Sequence, residues 1–243
     1  MLKIIVGKNE EKYKNDELLE IMRRLRAPDG CPWDIEQTHK SIRKDLLEEA
    51  YEVADAIDKD DNVALCEELG DLLLQVVFHS AIAEEEGSFD YSDVVDGICK
   101  KLVLRHPHVF GNAKAENSSE VLDLWDNVKM EEKHQTNFTE TLRSVPSAFP
   151  ALMRSAKVQK RALKSGISPN ENADNDLKTL TERFLSAIEQ EDKQLSTEMY
   201  GKLLFSLAGF GQTLKVDAEE TLNRETDRFI ERFEEAENKM QKH

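Results

Sequence analysis

Apolar residues recur every three or four positions over most of the chain, which is the period of a helix with one buried face. In the first half this pattern predicts four helices, at 16–26, 41–57, 63–83 and 94–104. Ser41 begins the second of these helices and is a candidate N-cap. A polar run at 58–62 predicts the turn between the second and third helices. Stretches that alternate apolar and polar residues are almost lacking, so we predict an all-α fold.

The second half of the sequence repeats the first half weakly. A fifth helical pattern at 121–132 and a sixth at 146–164 lead into it. Ala56 and Ile57 match Ala187 and Ile188, and the run 69–74 matches the run 200–205. Both matches have the same offset of 131 residues. Because the offset is constant across a predicted turn, we interpret the chain as two related helical modules.

Two pairs of acidic residues lie on the predicted helices that flank the turn. Glu49 and Glu52 are three residues apart, and so are Glu68 and Asp71, so each pair shares one helical face. With the turn placed at Asp60, the two helices run antiparallel and the two pairs lie level with each other. If these faces point towards each other, four carboxylates converge in the hairpin.

Four converging carboxylates repel one another and need a compensating charge. Hard divalent cations such as Mg²⁺ provide it, because they prefer oxygen ligands and also bind substrate phosphates. A metal in such a cluster neutralises phosphate charge and activates a water molecule. The alternative is an ordinary solvated helix face, since 34% of the residues are charged.

The overall charge of −16 excludes several classes of protein. Nucleic-acid polymers and anionic membrane surfaces would be repelled by it. A hydrophobic fraction of 39% is nevertheless sufficient for a folded core. The three cysteines show no CxxC spacing, and the apolar runs are too short for a signal peptide or a membrane span. We therefore expect a cytoplasmic protein.

The acidic pairs resemble the EExxE…ExxD signature of MazG-type nucleoside triphosphate pyrophosphohydrolases. Further runs agree with that family in the same order: GCPWDIEQTH at 30–39, ELGDLLLQVVF at 68–78 and KLVLRHPHVFG at 101–111. The resemblance covers about residues 16–165 and continues weakly to the end. It implies an all-α bundle that binds Mg²⁺, with Mn²⁺ as a substitute. It also implies cleavage of a (d)NTP between the α and β phosphates, which yields the monophosphate and pyrophosphate.

The resemblance also implies roles for individual acidic residues. The metal ligands would be Glu49, Glu52, Glu68 and Asp71. Glu48 would support these ligands or position the attacking water. The candidate catalytic residues are therefore Glu48, Glu49 and Glu52.

The same family pattern implies the residues that bind the nucleotide. Lys101 and Arg105 would contact the phosphates, which suits their charge. Trp125 would stack on the base, with Lys129 one helical turn beyond it; ordinary core packing is the alternative for Trp125. The substrate class would be nucleoside triphosphates, and the resemblance further implies a homodimer.

The second module differs from the first at the positions that matter. The 131-residue offset takes the four acidic ligands to residues that do not bind cations: Leu180, Arg183, Met199 and Lys202. We therefore expect the second module to serve packing or dimerisation. The resulting division is a catalytic module at 1–140, a helical linker at 141–165 and a degenerate module at 166–243.

Two alternatives to an enzyme stay open on the sequence. One is a catalytically decayed helical module that senses nucleotides or binds another protein. The other is a plain acidic scaffold. The first acidic set is complete, which favours an enzyme, because a decayed protein has no reason to keep one set intact.

Overall fold

The computed structural model describes residues 12–118, 120–121, 124–125, 128, 137–167 and 177–241. Across these residues the regular structure is helical and contains no strand, so the predicted all-α fold is confirmed. The chain divides into two compact units, Met1–Val128 and Lys129–His243. No helix in the described part of the chain is long and apolar enough to cross a membrane.

Six helices of the first unit lie wholly within the described residues. They are α1 (Asn15–Leu25), α2 (Pro32–Glu36), α3 (Arg43–Asp58), α4 (Asn62–Glu85), α5 (Tyr91–Arg105) and α6 (Pro107–Phe110). The sequence missed α2 and α6, which are single turns that begin with proline. The prediction of Ser41 as an N-cap was wrong, because the cap of α3 is Ile42. The Ser41 hydroxyl instead donates to Gln37 Oε1 at 2.7 Å, within the loop before α3.

The turn between α3 and α4 lies at the predicted position. Asp60 has a φ of 52°, in the left-handed region, and so reverses the chain within a few residues. The side chain of Asp61 then caps α4 by accepting hydrogen bonds from the N–H groups of Val63 and Ala64, at 3.0 and 3.1 Å. The tight turn holds the two helices as an antiparallel hairpin.

The core of the first unit lies at the far end of that hairpin. Its buried cluster consists of Met22, Ile42, Val77, Phe78, Ala81 and Ile82. The chain between α1 and α3 closes over it, because the buried Arg26 guanidinium pairs with Glu85 at 2.6 Å and donates to the backbone oxygens of Asp34 and Gln37. Gly30 is required in this segment, since a Cβ there would collide with the carbonyl oxygen of Leu25. The buried core thus lies away from the turn, whereas Glu49, Glu68 and Asp71 lie on the half nearer the turn.

The second unit contains five helices in the described residues. They are α7 (Phe138–Arg143), α8 (Ala151–Lys164), α9 (Leu177–Glu189), α10 (Lys193–Leu214) and α11 (Ala218–Met240). Helices α9 and α10 form a hairpin whose turn repeats that of the first unit. Glu191 has a φ of 55°, and the Asp192 side chain caps α10 through the Leu195 N–H at 2.9 Å. These two residues lie 131 positions after Asp60 and Asp61, so the sequence repeat is also a repeat of backbone structure.

Helix α8 covers most of the segment predicted to link the modules. In the structure it packs within the second unit: Gln159 donates to the backbone oxygen of Phe205 at 2.7 Å, and Gln212 donates to that of Ala156 at 3.0 Å. The functional boundaries at 140 and 165 stay a prediction. Most of the helix predicted at 121–132 lies outside the described residues.

Candidate active site

Three carboxylates converge in the α3–α4 hairpin, on the half nearer the turn. Glu49, Glu68 and Asp71 each place one side-chain oxygen within 4.8 Å of the other two. All three side chains are half-buried. The arrangement arises as predicted, because residues at matched distances from a tight turn lie level on antiparallel helices. The three oxygens form a group that could hold a metal ion.

The charges that shift the pKa values of Glu49 and Glu68 are all negative. Burial raises the pKa of Glu49 above its usual 4.5, and Asp71 and Glu52 raise it further. Burial also raises the pKa of Glu68, followed by the charges of Glu52 and Glu67. A divalent cation would relieve this repulsion, and an oxygen-only set of ligands suits a hard cation. The residues present therefore fit a metal of that class.

The other two predicted acids lie at the edge of this cluster. Glu52 is exposed, and its side chain lies one turn from Glu49, near enough to raise the pKa of Glu49. It acts electrostatically on both Glu49 and Glu68, although it is outside the group of three within 4.8 Å. Glu48 is exposed, and the pKa of Glu49 is raised by the charges of Asp71, Glu52 and Glu68 rather than by that of Glu48. The structure therefore brings three predicted ligands together and places Glu52 beside them.

A second cluster of predicted site residues lies at the end of α5. The side chain of Arg105 is buried, with its guanidinium carbon 5.4 Å from the centre of the Trp125 ring. The ring of His106 meets Trp125 edge-on at 4.9 Å. Lys101 is exposed one turn earlier on α5, whereas Lys129 lies outside the described residues. Part of the Trp125 ring is therefore engaged in packing, and its role in stacking on a base stays a prediction.

The sequence interpretation missed a line of polar residues along α4. Gln75 and His79 follow Asp71 at steps of four residues, so they share its helical face. His79 Nδ1 lies 2.8 Å from His39 Nδ1, and His39 Nε2 lies 3.8 Å from Glu86. Among the described residues, the buried atoms Gln75 Oε1 and His79 Nε2 have no hydrogen-bond partner. The four-residue spacing from Asp71 is the signal for this line in the sequence.

Comparison with known proteins gives a consistent assignment. Residues 37–110, which contain the whole acidic cluster, match the family model described as the MazG nucleotide pyrophosphohydrolase domain. The chain is also similar over 217 residues to the uncharacterized protein YabN of Bacillus subtilis, at 41% identity. That match spans 88% of this chain and 44% of YabN.

Two relatives with assigned names match nearly the full length. The nucleoside triphosphate pyrophosphohydrolase of Escherichia coli strain K12 is 43% identical over 228 residues, which cover 91% of this chain and 86% of that protein. The nucleoside triphosphate pyrophosphohydrolase/pyrophosphatase MazG of Thermotoga maritima is 36% identical over 227 residues, covering 93% and 87%. These identities extend through both compact units. The chain therefore belongs to the MazG nucleotide pyrophosphohydrolase family.

Proposed function

We propose that this protein is a Mg²⁺-dependent nucleoside triphosphate pyrophosphohydrolase that converts a (d)NTP into the (d)NMP and pyrophosphate. The observation that carries the proposal is the convergence of Glu49, Glu68 and Asp71 inside the segment that matches the family model. The names of the E. coli and T. maritima relatives support the same reaction.

Glu49, Glu68 and Asp71 would hold the metal, with Glu52 as a fourth ligand. Their oxygens suit Mg²⁺, and Mn²⁺ accepts the same kind of ligand. When bound, the metal neutralises phosphate charge and lowers the pKa of a coordinated water. The raised pKa values of Glu49 and Glu68 support this assignment, because they indicate a cluster short of positive charge.

The proposed chemistry is the attack of a water molecule on phosphorus. The water oxygen forms a bond to phosphorus, the bridging bond between the α and β phosphates breaks, and a carboxylate accepts the proton that the water loses. Glu48 suits this role because it is exposed to water and directly precedes the proposed ligand Glu49. The alternative role of Glu48 is to support the metal ligands.

Lys101 and Arg105 are the proposed phosphate-binding residues. Both lie on one face of α5, four residues apart, and Lys101 is exposed to solvent. Positive charge at this position would offset the charge that develops on the phosphates during the reaction. We further propose that Trp125 borders the base and that Lys129 contributes beyond it.

The protein is also proposed to act as a homodimer in the cytoplasm, without binding nucleic-acid polymers or membranes. Its charge of −16 supports the last two exclusions. The negative net charge does not exclude binding of a small nucleotide, because one metal ion and two or three cationic side chains are enough to make the local charge of the site positive.

The test is release of pyrophosphate from mixed NTPs, with and without Mg²⁺. The wild-type protein should produce NMP and pyrophosphate only with the metal. Glu68→Gln and Asp71→Asn should lower the rate by about 100-fold or more, since even residues that merely support metal ligands contribute 10–100-fold. Glu67→Gln removes the same charge from the neighbouring position and should retain most of the activity. Full activity in Asp71→Asn would overturn the assignment of the metal site. A wild-type protein that releases no pyrophosphate with Mg²⁺ would favour a non-catalytic nucleotide-binding module.

A further inference from the structure

Helix α11 exposes a large apolar surface. It has 23 residues, and every residue from Glu220 to Met240 is exposed. Among them are Phe229 and Phe233, which are 60% and 63% exposed, and Ile230 at 59%. Adjacent exposed aromatic side chains on one helix are unusual on a soluble surface and commonly mark an interaction site. We therefore expect a partner to cover the exposed apolar side chains of α11.

The small and apolar residues of α11 form a continuous stripe. They are spaced alternately by four and three residues: Leu222, Thr226, Phe229, Phe233, Ala236 and Met240. This spacing is the one with which two helices pack side by side in a coiled coil. Charged residues occupy most of the remaining positions, so the rest of the helix suits solvent. The pattern predicts that the partner is itself a helix.

We propose that α11 pairs in antiparallel orientation with α11 of a second copy of this chain. The stripe is palindromic in side-chain size: Leu and Met at the ends, Thr and Ala next to them, and two Phe in the centre. A two-fold axis near Glu231 therefore sets Phe229 of one copy opposite Phe233 of the other. Large residues then meet large ones and small residues meet small ones, as a self-complementary two-fold interface requires.

The residues beside the stripe agree with this register. Around the same axis, Ile230 meets its own copy, which extends the apolar centre of the interface. Glu225 approaches Lys239 of the other copy on both sides, so opposite charges meet twice. The two Arg232 side chains come near each other, but each is already paired with Glu225 of its own helix at 3.0 Å. The proposed contact is thus complementary in charge as well as in shape.

The available surface is sufficient for a specific dimer. Four phenylalanines contribute about 150–250 Å² each when buried. The isoleucine, leucine and methionine pairs add to this, which brings the contact to about 1,200 Å², the lower end of the range for stable interfaces. The proposal gives the homodimer proposed above a specific interface, and it does not depend on the catalytic assignment.

The first experiment measures the mass of the full chain in solution by light scattering after gel filtration. The wild-type protein should be a dimer at micromolar concentration, and Phe233→Glu should be a monomer, because it places two carboxylates in the apolar centre. Asn238→Glu adds the same charge away from the stripe and should stay dimeric. A monomeric wild-type protein, or a dimer that survives Phe233→Glu, would overturn the proposal.

The second experiment tests the orientation by disulfide cross-linking, in a variant whose three native cysteines are replaced by serine. Ile230→Cys should form a covalent dimer on oxidation, because the two copies of this residue meet at the axis. Glu231→Cys should stay uncross-linked, since it points away from the partner. Cross-linking of Phe233→Cys in place of Ile230→Cys would indicate a parallel pair and overturn the antiparallel arrangement. Pyrophosphate release from the same samples distinguishes a failed interface from a failed enzyme assignment.

Discussion

Leu180 occupies in the second unit the position that Glu49 occupies in the first, and the leucine is only 1% exposed. Met199 corresponds in the same way to Glu68 and is fully buried. The second hairpin therefore uses as core two of the three positions that form the acidic cluster in the first, while Lys202, at the position of Asp71, is exposed. Apolar packing stabilises a hairpin at these positions, whereas carboxylates there repel one another. Comparison of the two hairpins therefore shows that the fold does not require the acidic cluster of the first unit.

An acidic residue at a buried position of the second hairpin should destabilise the second unit. Leu180→Glu is expected to lower the free energy of unfolding by about 3–5 kcal/mol, the range for an uncompensated buried charge. The exposed Arg183→Glu should change it by less than about 0.5 kcal/mol, as is usual at the surface. Urea unfolding of the two variants makes the comparison. Equal stability of the two would show that the second hairpin is not packed as described.

The acidic cluster should destabilise the metal-free protein at neutral pH. Because the folded-state pKa values of Glu49 and Glu68 are raised, the folded protein binds protons more tightly than the unfolded chain does. The contribution of these two groups to stability is therefore most favourable below the usual pKa of 4.5 and is lost as the pH rises through the raised values. Glu68→Gln should raise the melting temperature at pH 7 in the presence of EDTA.

The same variant should lose most of its response to Mg²⁺. The metal binds the folded state and stabilises the wild-type protein by mass action, so its melting temperature should rise with Mg²⁺ concentration. Glu67→Gln serves as the matched control and should keep this rise. Scanning calorimetry measures both effects, and a Mg²⁺ response in Glu68→Gln equal to that of the wild type would argue against Glu68 as a ligand.

The half-buried His79 of α4 should make the protein less stable in mild acid. Burial lowers the pKa of His79 below its usual 6.5, and the neighbouring His39 lowers it further. The unfolded chain therefore binds a proton first as the pH falls, and stability is lost from about pH 6.5 down through the lowered pKa. His79→Gln should lose less stability between pH 8 and pH 5.5 than the wild type does. Urea midpoints across that range test it, and parallel profiles for the two proteins would contradict it.

The role of Trp125 can be separated into packing and stacking. Trp33→Phe leaves Trp125 as the sole tryptophan, since the chain contains two. If the base stacks on it, a non-hydrolysable NTP should quench its fluorescence, and Trp125→Leu should raise KM by roughly 5- to 150-fold, equivalent to the 1–3 kcal/mol of one stacked base. If its contacts with Arg105 and His106 are its whole role, the fluorescence should stay constant and only the melting temperature of Trp125→Leu should fall.

Local structure in this chain could be predicted from the sequence, whereas contacts between distant residues could not. The helical period and the turn at Asp60 fix which side chains share a face, so the meeting of Glu49 with Glu68 and Asp71 was predictable. The pair His39 and His79, which lie forty residues apart, was not. Short single-turn helices such as α2 also escaped prediction, because they are too brief to show a period.

By itself, the sequence determined the helical hairpins, their repeat and the level of the acids on them, because hydrogen bonding within helices and turn geometry act over a few residues. Tertiary structure alone decided which helical faces are covered. It placed Leu180 and Met199 in a core, set Arg105 against Trp125, and left the stripe around Phe229 exposed. Burial depends on which helices pack together, and a pattern of apolar positions does not show whether its partner lies in the same chain.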